Sequence, residues 1–131
     1  MKFAPIVLRV LLAMPLIIFG LNKFVGFMEM PLPDEGSMAA TFMMTMYGTY
    51  LAKFVALGEI VGGLMLLMKK TSALGAIIVM PILLNILAFH LFVDGEMSGI
   101  GMGVMLVVFD AAILYFNRER LLPILGDNGA A

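Results

Sequence analysis

Three observations predict an all-α fold, an integral membrane four-helix bundle with a short interfacial or re-entrant helix in its first external loop. Of the 131 residues, 63% are apolar and 13% charged, where an ordinary soluble domain is roughly 45–50% apolar and 25% charged. Mean hydropathy is +1.09. The apolar residues also gather in runs long enough to cross a bilayer, which takes roughly 20 residues per helix. Between those runs lie short polar connections. The length leaves room for about four crossings and no soluble domain beside them.

Taken in order, the spans are expected at about 3–27, 49–68, 73–93 and 98–117, in one domain covering 1–131. Pro5 suits the first turn of the first span. Lys2 before an apolar stretch also fits a cleaved leader, but Arg9 interrupts that stretch and no small-residue cleavage site follows Gly20. A spanning helix is the expectation. Residues 28–48 change character, with two prolines, three acids and an apolar piece near Met38–Met46 too brief to span. That segment is the external loop with its short helix. Lys69 and Lys70 close the second span, and Thr71-Ser72 supplies an N-cap for the third. Asp94–Met97 is a tight acidic turn into the fourth span, and Arg118-Glu119-Arg120 returns the chain to water before a polar tail.

Charge gives orientation. Lys2, Lys69, Lys70, Arg118 and Arg120 fall on one side, and Glu29, Asp34, Glu35, Asp94 and Glu96 on the other. By the positive-inside rule both termini are cytoplasmic, in a bacterial-type inner membrane. Eight Lys+Arg against nine Asp+Glu make no basic face for nucleic acid. With no cysteine there are no disulfides, thiol catalysis, thiolate zinc or iron–sulfur ligation. A single histidine argues against bis-histidine haem within one chain, and no metal is expected. The fourteen methionines fit flexible packing against lipid or a greasy ligand better than Cu(I).

Polar groups within spans are costly and mark functional candidates. They sort into two layers. At about 1.5 Å per residue, Arg9 lies roughly 8 Å from the basic end of its span, Asp110 roughly 10 Å and Glu59 roughly 13 Å. The simplest arrangement is Arg9 paired with one or both carboxylates, a network that pins helices together or holds a proton at Glu59 or Asp110. The outer layer comprises Asn22, Lys23, Lys53, Asn85 and His90, a set able to bind a ligand head group. His90 and Asp94 share a helix face, whereas Asn85 is about 140° from His90 on an ideal helix. Gly58-x-x-x-Gly62 and Gly99-x-x-x-Gly103 allow close helix approach.

The stretches RVLLAMPLIIFGLNKF (9–24), LGEIVGGLMLL (57–67) and LLNILAFHLFVD (83–94) together resemble the DoxX-like family of small four-helix membrane proteins. The resemblance runs over nearly all of Pro5–Asn117. It implies Asn22, Lys23, Glu59, Asn85 and His90 as the matching polar positions, and a quinone-linked role beside a partner protein. Two functions follow as expectations. One is a quinone- or lipid-binding subunit associated with a membrane oxidoreductase, with quinone as cofactor and an oxidoreductase or a second copy as partner. The other is a non-enzymatic lipid-binding or complex-assembly protein.

Overall fold

A computed structural model of the chain describes residues 3–126. Met1, Lys2 (counted above on the basic side) and the polar tail 127–131 lie outside the described residues. All the described elements are helices. They are α1 (Ala4–Val25), α2 (Met38–Gly48), α3 (Leu51–Leu67), α4 (Ser72–Phe89) running into a π-helical turn (His90–Asp94), α5 (Met97–Phe116) and α6 (Arg118–Leu125). α1, α4 with its π turn, and α5 are each long and apolar enough to cross a membrane. α3 has 17 residues, about 25 Å of rise, and meets α2 at a 78° bend across Thr49-Tyr50.

Local chemistry explains where the helices stop. Pro5 sits in the first turn of α1, where its missing N–H costs nothing. Gly26 ends that helix in the left-handed region (φ 69), its N–H donating to the Asn22 carbonyl. Ser37 caps α2 by accepting the Ala40 N–H at 3.1 Å. The expected Thr71-Ser72 cap of α4 takes a different form. Neither hydroxyl caps α4, because Thr71 donates to the Met65 carbonyl at 2.9 Å and Ser72 to that of Lys69 at 3.1 Å. Thr71 thereby satisfies a carbonyl in the last turn of α3, Ser72 one in the connection itself, and the turn is tightened.

The long helices close a ring in which α1 packs on α3, α3 on α4, α4 on α5 and α5 on α1. Neighbours run antiparallel. Gly20 of α1 abuts Ala56 and Glu59 of α3, while Gly63 farther along α3 abuts Ala13 and Ile17. Apolar side chains gain little from leaving lipid for protein, so close packing and small residues must hold such helices together. The two glycine motifs serve that purpose within the chain. Gly58 and Gly62 lie against Ile82 and Val79, and Gly99 and Gly103 against His90 and Leu87, so α4 is clasped from both sides. Leu12, Leu16, Leu66, Val79, Leu83, Leu106 and Ile113 fill the centre. The outward faces are apolar, with only about a fifth of each spanning window buried, as suits helices bathed in lipid.

Candidate functional site

The outer polar layer divides into groups used by the fold and groups left open. Asn22, 8% exposed, donates from Nδ2 to the Met28 carbonyl and accepts the Met28 N–H at 2.7 Å on Oδ1. Its amide therefore clasps the loop after α1 and is not offered to a ligand. One residue on, Lys23 Nζ donates to both carboxylate oxygens of Glu59, at 2.8 and 3.1 Å. Glu59 is 2% exposed. This buried ion pair ties α1 to α3.

The pair corrects the network expected from depth. Among the described residues Arg9 makes no ion pair with Glu59 or Asp110. Counting from helix ends placed Glu59 on the basic side, but it is the midpoint of α3, and Gly20 packs on its Cβ. Lys23 stands one turn beyond Gly20 and reaches down to it. The signal was available in the antiparallel pairing of the two spans: a lysine about one turn from a glycine contact lies within side-chain reach of an acid on the facing helix.

Asp110 and Arg9 are left apart. Asp110 is fully buried, and neither carboxylate oxygen has a hydrogen-bond partner among the described residues. Gly103 packs on Leu87, and Asp110, about 10 Å further along α5, reaches the level where Gly62 meets Val79. Arg9 lies one turn before Ala13 and so nearer the basic end, with its Nε buried and unpartnered.

His90 and Asp94 do come together, Nδ1 and Oδ2 being 2.9 Å apart. The other oxygen of Asp94 accepts the Glu96 N–H at 2.9 Å, tying the π turn to the start of α5. The imidazole lies over Gly99 and edge-on to Phe89, which stacks on Phe42 of α2 at 5.0 Å. His90 is thus oriented toward α5, and Asn85 does not share its site.

Asn85 and Lys53 are exposed and have no hydrogen-bond partner among the described residues. An open groove of about 410 Å³ lies between α3 and α4, walled by Phe54, Val55, Leu57, Gly58, Val61, Ile78 and Ile82; neither Asn85 nor Lys53 belongs to its wall. From the Gly58–Ile82 contact, Asn85 lies about one turn beyond Ile82, toward the acidic end, and within about 60° of the groove. Lys53 lies about one turn beyond Leu57 on the facing helix. The result is a trough with a wholly apolar wall, and two exposed polar residues about one turn beyond that wall by helix register. At the opposite end of the molecule a second pocket, of about 350 Å³, is lined by Arg9, Lys69, Ser72, Asn117 and Arg120 among others.

The sequence profile of the DoxX family matches residues 4–91. The chain belongs to the DoxX family. The match takes in α1 to the π turn, and with it Asn22, Lys23, Lys53, Glu59, Asn85 and His90. The DoxX match stops short of Asp110 and the α5–α6 side of the basic pocket. A Bacillus subtilis (strain 168) protein, the uncharacterized protein YwoB, is 29% identical over 129 residues, spanning 94% of this chain and 82% of that one. No solved structure matches the chain. Family and fold together make this a DoxX-like, multi-pass membrane protein in contact with lipid.

Proposed function

We propose that this DoxX protein is a binding subunit for a membrane quinone, working beside a membrane oxidoreductase in a bacterial-type inner membrane. The observation that carries the reading is the apolar α3–α4 groove, beyond whose wall helix register sets Asn85 about one turn from Ile82 and Lys53 about one turn from Leu57. An isoprenoid tail needs an extended apolar surface, and quinone carbonyls need donors that are not already engaged. Asn85 offers an amide and Lys53 an ammonium. The groove's volume falls within the roughly 300–1,000 Å³ usual for small-molecule sites. Bound quinone would supply the two-electron chemistry. This chain's residues would hold the ring, keep water from the tail and orient the carbonyls.

The outer-layer residues divide accordingly. Lys53 and Asn85 bind the head group. Asn22 and the Lys23–Glu59 pair hold the helices that form the site, and His90 fixes the end of α4 through Asp94. With no cysteine and one histidine, the electrons pass to and from a partner protein. The same groove would also take a phospholipid chain, which is the assembly-protein reading. The two are separated by extracting the protein purified from its native membrane without added ligand. Mass spectrometry should find quinone enriched at least several-fold over its share of the bulk lipid in the wild type, and not in Asn85→Leu. Quinone at its bulk share in both would favour the assembly-protein reading.

A further inference from the structure

We infer that the pocket at the basic end binds the phosphate of an anionic phospholipid from the adjoining leaflet. It lies far from the quinone groove, between the first turns of α1, the α3–α4 connection and the α5–α6 junction.

Three cations, Arg9, Lys69 and Arg120, line a pocket of about 350 Å³ whose wall holds no acid. None of the three makes an ion pair among the described residues. Arg120 is held in place, with Nη1 donating to the Lys69 carbonyl at 2.8 Å, and its other guanidinium nitrogens remain available. Arg9 also lines the pocket and makes no ion pair or side-chain hydrogen bond among the described residues; its Nε is sealed inside the protein, so an anion would meet the rest of its guanidinium. A guanidinium cannot shed its charge in response to a poorly solvated setting. A phosphate would complement the three cations, because its oxygens can accept from Arg9, Arg120 and Lys69 with short charge-assisted bonds.

The setting favours a lipid over a free ion. Pro5, Ile6 and Phe116 form the apolar part of the wall, with Ser72 and Asn117 completing it, and Ile6 and Phe116 are about half exposed. A phosphate seated among the cations would have its glycerol and acyl chains running along these apolar residues. Net charge also discriminates. Three fixed cations reward a head group that remains negative over one that carries its own ammonium.

The test uses the full-length protein, stripped of lipid in a neutral detergent. Phosphatidylglycerol, phosphatidylcholine, diacylglycerol and inorganic phosphate are added separately, and retention is read by native mass spectrometry alongside the thermal unfolding midpoint. Phosphatidylglycerol should be retained and raise the midpoint, phosphatidylcholine should bind more weakly, and diacylglycerol and inorganic phosphate should do neither. Arg9→Gln should weaken phosphatidylglycerol by about tenfold, the scale of one charge-assisted hydrogen bond. Lys69→Gln keeps the assay decisive if Arg9→Gln folds poorly, since the Lys69 ammonium has no bond to the protein among the described residues, and it too should weaken retention. Equal retention of all three lipids, protection by inorganic phosphate at the same concentration, or undiminished binding in Lys69→Gln would overturn the proposal.

Discussion

Lys23 and Glu59 show how a membrane chain can carry a charge at a helix midpoint, with Glu59 in the middle of α3 met by Lys23 from the last turn of α1. Glu59 is sealed, with 2% of its side chain exposed, and the Lys23 side chain is 15% exposed. Breaking a buried pair from one side leaves an uncompensated charge, at a cost of roughly 3–5 kcal/mol, whereas removing both charges is far milder. Lys23→Met should therefore lower the unfolding free energy in detergent by about that amount. Adding Glu59→Gln should restore most of the loss. Equal stability of wild type and Lys23→Met would deny the pair its role. These residues were visible in the sequence as costly polar groups, but their partners were not. Pairing depends on how antiparallel helices are set against one another, and Glu59 at the middle of α3 lies level with Gly20, within reach of Lys23 and several turns from Arg9.

The long helices were largely legible, because runs of spanning length and the polar breaks between them set their number and position; α6, at Arg118–Leu125, falls where the sequence suggested only a return to water. The short helix in the first loop was legible too, and lies at Met38–Gly48. Two features depended on three-dimensional context. The hydroxyls of Thr71 and Ser72 turn back to the Met65 and Lys69 carbonyls, a use set by the fold of the α3–α4 connection. The π turn at His90–Asp94 has no sequence pattern of its own; it is held by the Gly95 N–H donating to the His90 carbonyl and by Asp94. Helix packing gives a direct prediction. A Cβ at Gly75 would stand 2.9 Å from the Gly62 carbonyl oxygen and 3.0 Å from the Leu66 nitrogen, both backbone atoms that cannot swing aside. Gly75→Ala should destabilise the bundle by about 1–3 kcal/mol. Gly101→Ala, facing open space, should not, and equal effects in denaturant titrations would show that α3 and α4 are not so closely joined.

At the scale of the whole molecule, the four long helices bring an acidic end and a basic end to opposite sides of a lipid-facing ring. The positive-inside rule predicts a cytoplasmic basic end, in which case cysteines replacing Glu35 and Gly95 should react with an impermeant thiol reagent from outside intact cells, and one replacing Lys70 should not. The reverse pattern would invert the orientation. The proposed function rests on the groove between α3 and α4, and the chain's lack of tryptophan makes that groove open to a direct optical test. Phe54, on the groove wall and 67% exposed, and Val108, on the outer face of α5 and 56% exposed, can each be replaced by tryptophan as the sole such reporter. In nanodiscs titrated with a short-chain quinone, Phe54→Trp fluorescence should be quenched along a saturable curve. Val108→Trp should be quenched only in proportion to the quinone dissolved in the bilayer. Adding Asn85→Leu to Phe54→Trp should weaken the saturable phase by roughly fivefold, the scale of one hydrogen bond. Proportional, unsaturable quenching at both positions would contradict a quinone site in the groove.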